Sequence, residues 1–320
     1  MSEMRTDRSS PGDSNGNALD GSSPRADGPV RRPLVMAVVN VTPDSFSDGG
    51  RWFDAAAAVE HGLQLVAQGA DILDVGGEST RPGAQRPSAD EEARRVIPVV
   101  RELAAAGARV SVDTMRASVA EAAVAAGADI INDVSGALAD PAMRDVAAAS
   151  DATFVAMHWR GHSVDMQQQH TAYDDIVTDV CRELAESVAA LREAGVRDGR
   201  LVVDPGFGFA KTAEQNWELL ARMGEFDVDG LPVLWGTSRK SFLGVAGRTP
   251  QLIADGASVP PAARDAATAA TSVLAAQHDA WAVRVHDVPS TLAALDVVAA
   301  ARGAVAPRSA GERVGGGMPR

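Results

Sequence analysis

Between about residues 33 and 305, short runs rich in Val and Ile alternate with longer Ala-rich stretches whose apolar residues recur every three to four positions. The first pattern is that of strands and the second that of helices. Strands are predicted over 34–40, 71–75, 109–113, 129–132, 153–158, 201–204, 232–236 and 281–286. Helices are predicted over 54–68, 90–106, 118–126, 173–194, 213–221, 263–277 and 288–301, and the stretch around 141–149 carries the weakest helical pattern. The strands are nearly all apolar rather than alternating, as expected of a parallel sheet covered on both faces. Eight βα units in about 270 residues predict an α/β protein built as a closed (β/α)8 TIM barrel. An open doubly wound sheet would place a glycine fingerprint after the first strand if it bound a dinucleotide, and none stands there.

The flanks have a different character. Residues 1–32 mix acids, prolines and glycines without an apolar h-region, so they read as a disordered tail rather than a secretory signal. Residues 306–320 are polar and Gly-rich and read likewise as a tail, which leaves a single domain over 33–305. No run approaches the roughly 18 apolar residues of a transmembrane helix. Thirty Lys and Arg against forty-three Asp and Glu give a net charge of −13, the wrong sign for general attraction to nucleic acid or an anionic membrane. Any anionic ligand must therefore be met by local cations. The single cysteine, Cys181, excludes an intramolecular disulfide framework and fits a reducing compartment, so a cytoplasmic location is expected. Its place in a helical stretch reads as a buried apolar thiol.

In a parallel barrel the functional face lies at the C-terminal ends of the strands. All eight predicted ends carry polar or ionisable residues: Asn40, Asp74, Asp113-Thr114, Asn132-Asp133, His158-Trp159-Arg160, Asp204, Ser238-Arg239-Lys240-Ser241, and Arg284 to His286. Singly, each Asp reads as a loop or cap residue; eight ends together point to an active site. Asp113, Asn132 and Asp204 would present acceptors and an amide to one cavity, with Lys240 as a cation. Carboxylates accept from adjacent N–H groups and an amide both donates and accepts, which suits a flat heterocycle such as a pterin or purine. Arg81, Arg239, Arg284 and His286 are suited to phosphate oxygens.

Two motifs fail on inspection. DPGFGFAKT (204–212) resembles a P-loop, but Ala210 stands where GxxxxGK[ST] requires Gly before the lysine. His158, His162 and His170 match no common zinc spacing.

Seven segments carry a specific resemblance: MAVVNVTPDSFSDGG (36–50), DILDVGGESTRPGA (71–84), VSVDTMR (110–116), INDVSG (131–136), DPGFGFAKT (204–212), GTSRKSFLG (236–244) and RVHDV (284–288). In order and spacing, over about 33–303, the chain resembles the dihydropteroate synthases. The resemblance implies a (β/α)8 barrel, Mg²⁺ and a transferase reaction of folate biosynthesis. In it, 4-aminobenzoate displaces diphosphate from (7,8-dihydropterin-6-yl)methyl diphosphate to give 7,8-dihydropteroate. It also implies a target for sulfonamides, which imitate the aminobenzoate, and a homodimer formed through the later helices, 263–277 foremost.

Residue by residue, the resemblance implies that Asp113, Asn132 and Asp204 hold the pterin's amino and ring N–H edge, with Lys240 on its carbonyl and ring nitrogen. Asn40 would ligate Mg²⁺ and so help bind diphosphate, which Arg81, Arg284 and His286 would anchor. Asp48 would stabilise a cation at the methylene carbon. Phe46, Thr80, Pro82, Phe207, Lys240 and Ser241 would form the aminobenzoate pocket, Ser241 donating to the carboxylate. The reaction is expected to be dissociative, with Asp48, Lys240, Arg284 and His286 as its principal groups. Thr237 departs from the family's usual Ala, so a slightly different pocket shape near Lys240 is expected. A pterin-binding methyltransferase and a catalytically silent relative are the competing readings. The first would not need STRPG or SRKSF, and the second would typically lose the loops that carry them.

Overall fold

The computed structural model describes residues 32–42, 55–78, 86–161, 171–247 and 259–305. Eight strands, β1 Leu34–Asn40, β2 Ile72–Gly76, β3 Val110–Asp113, β4 Ile130–Asp133, β5 Thr153–Met157, β6 Leu201–Asp204, β7 Leu234–Trp235 and β8 Ala282–Val285, form one parallel sheet in the order 6-5-4-3-2-1-8-7. A parallel bridge between Val203 and Val233 joins β6 to the approach to β7 and closes the ring. Each strand is followed by a helix: α1 Ala55–Ala67, α2 Ala89–Ala105, α3 Ala117–Ala125, α4 Met143–Ala149, α5 Ile176–Glu193, α6 Ala213–Ala221, α7 Asp265–Gln277 and α8 Val288–Val305. The fold is the expected TIM barrel, and the weakly patterned stretch around 141–149 contains α4.

Where boundaries differ from expectation, local chemistry explains them. β7 shrinks to two residues because Pro232 has no N–H for the ladder, although its carbonyl still accepts from Val203 N at 2.9 Å. The helix expected from 173 starts at Ile176, since the Asp175 carboxylate caps it by accepting from Thr178 N at 2.9 Å. The stretch from 263 opens with the 3-10 turn Pro261–Arg264 before α7 begins. Cys181 lies on α5 and is half-buried rather than buried; burial raises its thiol pKa, which makes it inert.

The strands look uniformly apolar because both faces are covered. Val35, Ala37 and Val39 of β1 join the layer between sheet and helices. Met36 faces the other way, with Ile72, Ile130, Val155, Val202, Leu234 and Ala282, to fill the barrel interior. This plug of one residue from each of seven strands makes the barrel a packed core rather than a pore. It also fixes which residues stand above it. Side chains of a strand return to the same face every second residue, so the next inward positions are Asp74, Asn132, Asp204 and Arg284. Among the described residues, no helix is long and apolar enough to cross a membrane.

Candidate active site

The inward layer above the plug is ionic. Arg284 on β8 donates through Nε to Asp74 Oδ2 at 2.6 Å and through Nη2 to Asp113 Oδ2 at 2.8 Å. Asn132 on β4 donates its Nδ2 to the same Asp74 oxygen at 3.1 Å. This bond leaves the Asn132 carbonyl oxygen available to accept from a ligand. Asp74 is fully buried, and its other oxygen has no hydrogen-bond partner among the described residues. Asp204, at the end of β6, accepts Gly206 N–H at 2.7 Å.

Electrostatics follow from concentrating three carboxylates and two cations where water is scarce. Burial pushes the Asp113 pKa up to about 7; Arg284 opposes the shift, while Asp74, Glu92 and Glu78 reinforce it. Burial likewise raises Asp204 to about 6 against the Gly206 N–H, Lys240, Arg284 and Lys211. Lys240 falls to about 8, through burial and then Arg284, with Asp204 and Asp113 resisting. For Arg284, burial is outweighed by Asp74 and Asp113, so the guanidinium stays firmly protonated.

One layer higher, His286 shares Ser238. The Ser238 Oγ lies 2.8 Å from His286 Nδ1 and accepts His286 N–H at 3.2 Å. The hydroxyl proton therefore goes to Nδ1, and the ring proton is left on Nε2. Burial, followed by Arg284, Arg239 and Lys240, lowers the His286 pKa to about 3, so the ring is neutral. Asn40 is exposed at the end of β1, beside Gly76 of β2.

Loop 205–212 forms one wall. Gly206 adopts φ +71°, and a Cβ there would lie 2.6 Å from the His158 carbonyl oxygen, so only glycine lets the loop press onto the end of β5. Gly208 admits the Lys240 stem in the same way, since its Cβ would lie 2.9 Å from Lys240 Cδ. Lys240 Nζ stands 4.0 Å from the centre of the Phe209 ring.

A profile of the pterin-binding enzymes matches residues 36–286. The dihydropteroate synthase of Mycobacterium leprae is 52% identical over 268 residues, covering 83% of this chain and 92% of that protein. The chain belongs to the dihydropteroate synthase family. Two solved structures of the family agree. The Xanthomonas albilineans dihydropteroate synthase with 4-aminobenzoic acid superposes with a TM-score of 0.76 at 45% identity, covering 85% of this chain and 94% of that one. The Burkholderia cenocepacia dihydropteroate synthase complexed with 7,8-dihydropteroate gives 0.76 at 41% identity, covering 87% and 94%.

Of the residues that the family motifs single out, Asp113, Asn132, Asp204, Lys240, Arg284 and His286 stand at the strand ends and loops of the barrel's C-terminal mouth, with Asn40 and Ser241 at its edge. Phe46, Asp48, Thr80, Arg81 and Pro82 lie outside the described residues, as do His162 and His170. Phe207 requires a correction. It is 1% exposed, stacked on Phe242 at 6.0 Å and tilted against Trp235 at 5.8 Å, so it belongs to the core behind the wall. The aromatic facing Lys240 is Phe209, two residues on and half-buried. Arg239, considered above for phosphate, is instead committed to α7, with Nε and Nη2 donating to the Asp265 carboxylate at 2.7 and 2.8 Å. The Thr237 hydroxyl that departs from the family pattern pairs with Thr271 Oγ1 of α7 at 2.7 Å.

Family motifs also contain structural residues. Asp133, next to Asn132, accepts from Ser135 N, Ser135 Oγ and Ala137 N at 2.8, 2.7 and 2.9 Å, and so builds the turn after β4. Thr114 and Arg116 both donate to Glu92 of α2, which is 1% exposed. Phe209 and Lys211 were not among the expected site residues, and Asp74 stood only among the eight polar strand ends, with no role of its own. Asp74 had a legible signal: Ile72, Ile130, Val202 and Ala282 are each followed two positions later by Asp, Asn, Asp and Arg.

Proposed function

We propose that residues 33–305 form a complete catalytic unit that joins the dihydropterin methylene carbon to the amine of 4-aminobenzoate, releasing diphosphate and yielding 7,8-dihydropteroate. The observation that carries this reading is one mouth holding Asp113, Asn132 and Asp204 beside Lys240 and Arg284, in a chain of the dihydropteroate synthase family. The carboxylates accept from the pterin's amino and ring N–H groups, and the Asn132 amide, oriented by Asp74, offers its oxygen to the same edge. Lys240 donates to the pterin carbonyl and ring nitrogen. Arg284, at the centre, reaches toward the diphosphate, with neutral His286 donating through Nε2 and Arg81 joining from the second loop.

The reaction is dissociative in this reading. The C–O bond to diphosphate breaks with its electron pair leaving on the phosphate oxygen, and the dihydropterin nitrogens delocalise the resulting methylene cation. The aminobenzoate nitrogen then supplies the pair for the new C–N bond, and its surplus proton leaves to solvent. Arg284 stabilises the departing charge by preorganised electrostatics, and Asp48 stabilises the cation. Phe46, Thr80, Pro82 and Phe209 enclose the aminobenzoate ring, Phe209 taking the place first expected of Phe207. Ser241 donates to its carboxylate.

The residues fit a magnesium ion that arrives with substrate. Among the described residues, no group of three or more His, Cys, Asp and Glu could hold a metal, but Mg²⁺ typically uses one or two protein oxygens plus substrate phosphates. The exposed Asn40 amide oxygen is such a donor. When bound, the ion would neutralise charge on the diphosphate. A homodimer fits outward-facing apolar residues on the last two helices, Leu274 of α7 and Val297 of α8, the latter 69% exposed. Light scattering at micromolar concentration should give twice the chain mass. A cytoplasmic location fits the unpaired single cysteine, Cys181.

The deciding experiment measures diphosphate release and dihydropteroate formation with dihydropterin diphosphate and Mg²⁺, with and without 4-aminobenzoate. Product that depends on both substrates is expected. A folded, pterin-binding protein that makes none would be the silent relative. Lys240→Ala should abolish turnover and weaken pterin binding, whereas Asn40→Ala should chiefly impair Mg²⁺-dependent diphosphate binding; normal kinetics in either variant removes that residue from the site.

A further inference from the structure

Lys211 is 4% exposed and does not enter the barrel mouth. It belongs to the motif that imitates a P-loop, yet its ammonium is taken up by its own loop and by the residue that follows β5. Its three N–H donors are matched by three acceptors: the carbonyls of Gly206 at 3.0 Å and Phe209 at 3.2 Å, and His158 Nδ1 at 3.0 Å. An ammonium has three donors and no acceptor, so this set satisfies the charged form, although burial lowers the Lys211 pKa to about 7 against the support of Asp204 and Glu183. Two of the bonds staple the loop to itself, and the third ties it to the end of β5.

The third bond needs one particular histidine tautomer. His158 is out of phase with the inward residues Val155 and Met157 and faces the helical layer, where its Nε2 lies 2.9 Å from Glu183 Oε2 on α5. Donation from Nε2 leaves Nδ1 as an acceptor for Lys211. Burial first, then the Lys211 charge, lowers the His158 pKa to about 3, so the ring is neutral as the bond requires. Glu183 is in turn held by Arg160, through Nε at 2.8 Å and Nη2 at 2.5 Å. The Arg160 guanidinium lies 3.7 Å from the centre of the Tyr173 ring, and the Tyr173 hydroxyl donates to the Ala210 carbonyl at 2.9 Å. The circuit Lys211, His158, Glu183, Arg160, Tyr173 thus begins and ends on the same loop.

That loop sets three site residues. Gly206 N–H fixes the Asp204 carboxylate, Gly208 lies against the Lys240 stem, and Phe209 sits beneath the Lys240 ammonium. We propose that Lys211 is a positioning residue of the active site: seated on His158, it holds loop 205–212 so that Asp204, Lys240 and Phe209 converge on the bound substrates. This rests on the proposed function for its kinetic consequence and not for the placement of the loop.

The test compares the full chain with Lys211→Met, His158→Leu, His158→Gln and the double variant Lys211→Met/His158→Leu. Glutamine can accept from Lys211 and donate to Glu183, so His158→Gln serves as the conservative rescue. Lys211→Met is expected to lower kcat/KM on the order of 100-fold, with higher KM for both substrates at temperatures well below its Tm. A scaffold role alone would lower the active fraction and leave KM unchanged. His158→Leu should show the same signature, the double variant should be little worse than Lys211→Met alone, and His158→Gln should recover most of the loss. Amide hydrogen exchange over 205–210 should rise in Lys211→Met and His158→Leu and return in His158→Gln. If Lys211→Met does not fold, the two His158 variants decide by the same measures. Unchanged KM values with unchanged exchange in the folded variants overturn the proposal. An inactive wild type with altered loop exchange in the variants would instead overturn the proposed function while upholding the role of Lys211.

Discussion

At the scale of single residues, the mouth is governed by charge held out of water. Asp113 and Asp204 accept from adjacent N–H groups of a pterin through both oxygens only when ionised, and their pKa values are raised to about 7 and about 6. Pterin affinity should therefore strengthen as pH rises through 6–7 and weaken again above about 8, where Lys240 loses its proton. Calorimetric titration with a dihydropterin from pH 5.5 to 9 reads this directly, and a flat profile would count against both assignments. The sign for stability is opposite. Because these folded carboxyls retain protons that the unfolded chain has released, their own contribution to stability falls between about pH 4 and 7, opposed over the same range by the neutral buried His158 and His286. Asp74 is separable from this pair. Asp74→Asn removes the carboxylate that orients Asn132 and Arg284, so kcat/KM should fall on the order of 100-fold. Tm should fall by a few degrees at most, because the Arg284 guanidinium keeps Asp113 as a partner and the asparagine oxygen can still accept from it. A large loss of Tm with activity preserved would assign Asp74 to the scaffold instead.

At the scale of elements, the barrel positions its site by docking helices onto strand-end turns. Glu92 of α2 is the clearest joint, since its carboxylate takes Thr114 Oγ1 at 2.5 Å and Arg116 Nη1, both just after β3. Glu92→Ala should cost about 3 kcal/mol, because a buried charged acceptor is lost and Arg116, 20% exposed, keeps only part of its pairing. For a domain of this size the Tm should fall roughly 6–12 °C; a change under about 2 °C would show that water replaces the carboxylate freely. The helices themselves were readable from periodicity, including α6 at 213–221, where Thr212 and Gln215 make a capping box. The shortness of β7 was less readable, because it depends on which neighbour needs the N–H that Pro232 lacks.

At the scale of the whole molecule, a chain of net charge −13 gathers Lys240, Arg284 and His286 at one end of a barrel. In the proposed function, anion recognition is thus local and not a property of the surface. Arg32, the first of the described residues, donates through Nη1 to Asp71 Oδ2 at 2.6 Å, while that same oxygen accepts Val35 N–H at 2.7 Å. Removing residues 1–30 should therefore leave Tm and turnover nearly unchanged, whereas extending the cut through Arg32 should lower Tm by a few degrees, as loss of a partly exposed pair implies. Differential scanning calorimetry of the two truncations separates them, and a loss already at residue 30 would place the boundary of the catalytic unit earlier.

The sequence by itself determined the eight βα units, the barrel, the family and the residue types gathered at the strand ends, because periodicity and motif spacing are local properties of the chain. It did not determine which face of each all-apolar strand points inward. That waited on the plug of Met36, Ile72 and their partners, which puts Asp74 beside Arg284 across 210 residues of chain. Only the closed barrel could decide that Phe209 rather than Phe207 meets Lys240, and that Lys211 turns outward to His158. Both outcomes depend on how loop 205–212 packs between β5 and Lys240, contacts that no run of neighbouring residues encodes.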